Sequence, residues 1–320
     1  MLKRIAALTV VIMFFLCLAG CGGNDPADSV NPAITDAMEA AGSSEGGVLH
    51  VSVTFDAMKE FAEAVGNDKA EINTIIPDGM EPHDFEPKAR DLTALSKADV
   101  FVYNGLGMEA WVDGAINAVN NPKLITVEAS KGAEAIQNTE SQDSSAGIVY
   151  DPHLWLSVTG AKLEAQNIKD GFIKADPGNK EYYEKNCANF TSQLDSLYNE
   201  YKGKFQSVPK KSFVTGHAAF AYLCMDFGLE QKSVEDTFAD GEPTAQQLAG
   251  LVKYCRDNSV TTIFAENMVS PAVSQTLADE VGAVVETIYT IESNEDGLTY
   301  LERISYDLSK IFESLKTDNG

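Results

Sequence analysis

The sequence predicts an α/β protein of two similar lobes, each a parallel-type sheet flanked by helices, joined by one long rigid helix. Three observations carry this expectation. After residue 48, short strand patterns alternate with amphipathic helical ones, the succession from which parallel sheets with helices on their faces are built. An apolar stripe of Tyr183, Cys187, Phe190, Leu194, Leu197 and Tyr201 then recurs at spacings of four and three, along a helix of roughly 25 residues. Directly after that helix the β/α alternation begins again.

In order, "VLHVSVTF" reads as a strand, "DAMKEFAEAVG" as a helix, "EINTIIP" as a strand and "KARDLTALSKA" as a helix. "DVFVYN", "MEAWVDGAINAV" and "KLITVEA" continue as strand, helix and strand. A polar stretch from Ser130 to Gly147, with "NTESQDSSAG" at its centre, interrupts the series before "IVYDPHLWL" and a further helix. It reads as a solvated loop. The long helix follows "KADPGN". In the second lobe "KSFVTG" is a strand, "HAAFAYLCMDFG" a helix, and "EPTAQQLAGLVKYCRDN" a helix with Pro243 at its start. "TTIFAE" and "AVVETIY" are strands around the helix "PAVSQTLADEVG", and "LTYLERISYDLSKIFESLK" is the closing helix. The lobes are expected at 48–177 and 208–320, with the linking helix at 178–207.

Before the lobes, Lys3 and Arg4 precede the apolar run "IAALTVVIMFFLCL" and the small residues "LAGCGG", the succession of a secretory leader over residues 1–20. "LAGC" resembles a lipobox, with Cys21 as the lipidated residue and residues 21–47 as a flexible tether. The expected location is extracytoplasmic, on the cell membrane through acyl chains. The formal charge of −24 makes nucleic acid and anionic bilayers poor partners and draws cations toward the chain. A monomer is expected. Cys187, Cys224 and Cys255 lie on apolar helical stripes without a C-x-x-C pair, which reads as buried thiols, one disulfide among them staying open.

Three of the four histidines lie where an open α/β sheet puts its functional crevice, outside the carboxyl ends of strands. His83 in "EPHDFEP" follows the second strand, His153 in "DPHLWL" follows the polar loop, and His217 in "GHAAFAY" follows the first strand of the second lobe. His50 differs, lying inside the first strand. Imidazole is the commonest metal ligand, since a neutral nitrogen is available near pH 7 while the other is held by an acceptor. A carboxylate is expected as fourth ligand. Glu286 in "AVVETIY" is best placed; Glu266, Asp84 and Asp151 compete, and are otherwise acceptors behind the imidazoles.

The motifs "EPHDFEP", "YNGLGMEAW", "DPHLWL", "GHAAFAY" and "GEPTAQQL", in that order, make the chain from Val48 onward resemble the metal-binding solute-receptor lipoproteins of bacterial ABC importers. The resemblance implies two α/β lobes joined by a stiff helix, no enzymatic activity, an importer permease as partner, and a metal held between the lobes. It places the ligands on His83, His153, His217 and a carboxylate after the final strand, taken as Glu286 in "ETIYTIES". Where many zinc receptors of that family carry a histidine-rich loop, this chain has "NTESQDSSAG".

Three imidazoles and one carboxylate suit four-coordinate Zn(II), whereas manganese prefers more oxygen and higher coordination. The expectation is a zinc receptor. Its alternatives are a manganese receptor of the same family and a surface adhesin on the same fold. A zinc hydrolase would need a base near a metal-bound water, and no H-E-x-x-H motif is present.

Overall fold

The computed structural model describes residues 47–138, 149–238, 243–266 and 271–316. The leader, Cys21, the tether through residue 46 and residues 139–148 of the polar stretch lie outside the described residues.

The first lobe runs β1 (Leu49–Val53), α1 (Asp56–Gly66), β2 (Ala70–Thr74), α2 (Ala89–Leu95), β3 (Val100–Tyr103), α3 (Val112–Val119), β4 (Ile125–Glu128) and α4 (Val158–Ala175). Next comes α5 (Lys180–Ser207), the long helix linking the lobes. The second lobe runs β5 (Ser212–Thr215), α6 (Ala221–Phe227), β6 (Glu230–Ser233), α7 (Ala245–Asp257), β7 (Thr262–Glu266), α8 (Pro271–Val281), β8 (Val284–Ile288) and α9 (Tyr300–Ser314). Both sheets are wholly parallel, with strand orders β2-β1-β3-β4 and β6-β5-β7-β8. The same pattern occurs twice. In each, successive connections leave the first strand in opposite directions, so a crevice opens at the carboxyl ends of β1 and β3, and of β5 and β7.

Helix α5 has 28 residues and so spans about 42 Å. Tyr183, Cys187, Phe190, Leu194, Tyr201 and Phe205 form its buried side, the stripe expected from the sequence extended by Phe205. One apolar core runs from β1, β3, α1 and α4 across α5 and α9 to Phe213, Phe264 and Ile288 on one face of the second sheet. Val214 and Ile263, one residue away in each strand, turn to the opposite face and pack with Cys255, Leu277 and Ala278 under α7 and α8. Cys187, Cys224 and Cys255 are free and buried.

Some elements differ from expectation for local reasons. Strand β6, "EQKS", carries no apolar pattern and is held by backbone pairing to β5, from Ser212 with Glu230 to Thr215 with Ser233. Helix α4, unspecified in the sequence beyond its place after "DPHLWL", buries a face rich in small residues: Gly160, Ala161, Ala165 and Gly171 beside Ile168 and Phe172. Small residues there admit close neighbours; a Cβ on Gly171 would stand 2.3 Å from Val127 Cγ2. Helix α6 begins at Ala221 rather than His217, leaving His217 to Phe220 as a loop at the crevice.

Candidate metal centre

His83 lies in the loop after β2, His153 directly before the turn that opens α4, and His217 two residues past β5. The fold brings the three imidazoles together. His83 Nε2 and His153 Nε2 are 3.3 Å apart, and the rings of His153 and His217 have centroids 5.4 Å apart. His153 and His217 are buried, at 0% and 3% exposure, and His83 is partly buried with its ring nearly perpendicular to that of Phe238, centroids 5.2 Å apart.

Two carboxylates stand behind these rings. Asp151 Oδ1 accepts from the His153 backbone N–H at 2.9 Å and lies 2.9 Å from His153 Nδ1. A carboxylate accepts, so Nδ1 carries the proton and the Nε2 lone pair faces the cluster. Glu266, at the end of β7, accepts from the His217 backbone N–H at 3.1 Å and puts Oε1 3.4 Å from His217 Nδ1. That ring nitrogen has no hydrogen-bond partner of good geometry among the described residues, and its attraction to Glu266 is chiefly Coulombic. Asp84 differs from expectation: its side chain is exposed and makes no hydrogen bond to His83 among the described residues.

The fourth position differs from expectation. Glu286 lies inside β8, partly exposed, and its carboxylate pairs with Lys310 of α9 at 2.6 Å, outside the histidine cluster. Glu292, four residues beyond the end of β8, stands beside the imidazoles instead. One ligand atom each from His83, His153 and Glu292 lie within 4.8 Å of one another. Glu292 is 4% exposed; Oε2 accepts from Thr290 Oγ1 at 2.9 Å, while Oε1 has no hydrogen-bond partner among the described residues and lies 3.8 Å from His153 Nε2. A buried carboxyl oxygen left unpaired is costly in an ordinary interior. Here it points at imidazole lone pairs, which is the donor set of a cation. The crevice rule itself singles Glu292 out, since it lies outside the carboxyl end of β8 while Glu286 lies within the strand.

The charges of the metal-free cluster follow from burial and neighbours. Burial, with the positive charge of His153 and His217 opposing protonation, drives the His83 imidazole down to about 2. Burial also lowers His153, outweighing the support of Asp151. For His217 burial acts downward too, yet the carboxylates of Glu266, Glu292 and Glu81 outweigh it and hold the ring up to about 9. Glu292 is raised to about 8 by burial and by the charge of Glu81, against the opposing pull of His217.

Comparison with known proteins bears on this cluster. Residues 51–314 match the family described as zinc-uptake complex component A, periplasmic. A Treponema pallidum protein named for metal binding is 43% identical over 83% of this chain and 87% of its own length. The high-affinity zinc uptake system protein ZnuA of Bacillus subtilis is 34% identical over 98% of this chain and 99% of its own. Among solved structures, the laminin-binding protein Lmb of Streptococcus agalactiae, described as bifunctional with adhesin and metal-transporting activity, superposes with a TM-score of 0.77 at 32% identity. That likeness covers 84% of this chain and all of the other.

Proposed function

We propose, because the chain belongs to the family of periplasmic component A of zinc-uptake complexes, that it is the extracytoplasmic zinc receptor of an ABC-type importer. Zn(II) is its cargo, held by His83, His153, His217 and Glu292. The observation that carries the ligand assignment is the unpaired, buried Glu292 Oε1 among imidazole nitrogens. The receptor performs no chemistry on its ion. It strips water from the metal in a site with three neutral donors and one anionic donor, and releases it at the permease. Lipidation at Cys21, with residues 22–47 as a tether, would keep a monomeric receptor near that permease.

Three nitrogen donors and one oxygen donor make zinc the expected cargo over manganese. A competition titration against a chelator of known affinity should therefore show one tight zinc site per chain that manganese does not displace. Preference for manganese would overturn the ligand argument. Absence of tight binding by either ion would leave the adhesin reading.

Binding should also expel protons. At pH 7 the metal-free protein keeps a proton on His217, held up to about 9, and on Glu292, raised to about 8. Both must be deprotonated to bind metal. Zinc titrations by calorimetry in buffers of different ionisation enthalpy should show at least one proton released per zinc at pH 7, falling toward none above about pH 9.5. Affinity accordingly rises with pH between about 6 and 9. Zero release at pH 7 would rule out this ligand set.

A further inference from the structure

The segment from Tyr289 to Thr299 leaves the second sheet at β8, yet four of its hydrogen bonds go to the first lobe. Trp155 Nε1–H donates to the Thr290 carbonyl at 2.7 Å, and the Asp56 backbone N–H donates to the Glu292 carbonyl at 3.3 Å. The Gly79 N–H donates to Ser293 Oγ at 2.6 Å, and the Asn294 N–H donates to Asp78 Oδ1 at 3.2 Å. Arg303, on the first turn of α9 and 0% exposed, closes the arrangement. Its Nη1 donates to the Ser293 carbonyl at 2.6 Å, and its Nη2 donates to Asp56 Oδ2 at 2.6 Å and Glu60 Oε1 at 3.3 Å. Asp56 and Glu60 lie on α1. Tyr300, one turn before Arg303, donates to the Trp155 carbonyl at 2.6 Å and packs edge-on against Phe61 of α1.

We infer that Arg303 is a positioning residue for metal binding. With Asp56 it clamps the segment carrying Glu292 onto α1, so that Glu292, a residue of the second lobe in sequence, is presented with His83 and His153 as one three-ligand face. His217 alone then reaches the ion from the second sheet. The connections of the clamp converge on the ligand, since the Asp56 backbone N–H holds Glu292 itself, the Asp56 side chain holds Arg303, and Arg303 holds the next residue, Ser293. Two bonds to consecutive residues fix where the Glu292 carboxylate points. A buried guanidinium that forks between a carbonyl and a carboxylate sets geometry as well as charge, and lysine lacks that fork.

The inference rests on the zinc-receptor reading, and its test separates the two. Zinc affinity is measured by chelator competition for the full chain, Arg303→Lys, Asp56→Asn, and each substitution in a Glu292→Gln background, with thermal melting of the metal-free forms as a folding control. Residues that orient metal ligands typically cost about 10- to 100-fold in affinity when changed. Arg303→Lys is expected to fall in that range, and Asp56→Asn, which removes the charge but not the size of the Arg303 partner, to lose a smaller factor. In the Glu292→Gln background both losses should largely vanish, because the group they orient is gone. Additive losses in that background would overturn the inference, since they would mark a general loosening of the fold. Unchanged affinity in folded Arg303→Lys would overturn it as well. If Arg303→Lys does not fold, Asp56→Asn, which weakens the Arg303 Nη2 contact itself, decides alone by the same comparison. Failure of the unsubstituted chain to bind zinc would sink the receptor reading instead.

Discussion

Glu292→Gln is expected to weaken zinc binding by roughly a hundredfold, about 2.7 kcal/mol, while stabilising the metal-free protein. Glutamine keeps the size of the side chain and removes the anionic donor that faces His153 Nε2. The gain in stability follows from the sign of the proton linkage. Burial and Glu81 raise the folded Glu292 carboxyl to about 8, above its ordinary value near 4.5. Between those values the folded state binds the proton more strongly than the unfolded state, so Glu292 favours folding at low pH and loses that contribution as pH rises through 8. At pH 7.5 the native protein still bears the cost of burying this group, and glutamine lifts it. Chelator competition and thermal melts of the metal-free proteins at pH 7.5 read the two effects separately. Weaker binding together with a higher melting temperature is the signature of a functional group retained against stability. Glu286→Gln is the control: it breaks only the partly exposed pair with Lys310, worth about 0–1 kcal/mol, and leaves affinity unchanged. The reverse pattern, with Glu286→Gln losing zinc and Glu292→Gln keeping it, would restore the assignment made from sequence.

The difference at that position shows where sequence pattern stops being informative. "AVVETIYTIES" offers two glutamates in one stretch, and periodicity cannot say where the strand ends. The end is set by pairing with β7, which runs from Thr262 with Val284 to Glu266 with Ile288. That register places Glu286 within the ladder and leaves Glu292 to the loop beyond it. The histidines were easier to place, because proline beside His83 and His153 marks loops and because His217 follows the strand "KSFVT" directly. The same contrast governs the fold. The apolar stripe of α5 is local and visible in the sequence, whereas β6 has no pattern of its own and exists because β5 presents an edge to it. The clamp of Arg303 on Asp56 joins residues 247 apart in sequence, and no local pattern carries such a pairing.

Gly216→Ala should damage the centre without touching any proposed ligand. Gly216 is the residue between β5 and His217, and a Cβ placed on it would stand 2.0 Å from Glu266 Oε2 and 3.1 Å from Glu266 Cδ. The glycine backbone cannot retreat freely, since its carbonyl accepts from Val234 N–H at 3.1 Å and Glu235 N–H at 2.8 Å. Glu266 must move instead. It is 3% exposed, holds the His217 backbone N–H at 3.1 Å, and is the carboxylate facing His217 Nδ1. Overpacking of a rigid interior costs about 1–3 kcal/mol, and a shifted carboxylate behind a ligating imidazole costs about 10- to 100-fold in metal affinity. Both losses are expected together. The displaced Glu266 also ceases to support the His217 proton, so proton release on zinc binding at pH 7 should fall below that of the unsubstituted chain. Gly203→Ala separates this from a general effect of adding a methyl group. Gly203 is exposed within α5 with nothing near its missing Cβ, so alanine there should stabilise by about 0.5–1 kcal/mol and leave zinc binding unchanged. If Gly216→Ala binds zinc as tightly as the unsubstituted chain with the same proton release, then Glu266 does not orient His217, and the charge balance derived for the metal-free centre fails with it.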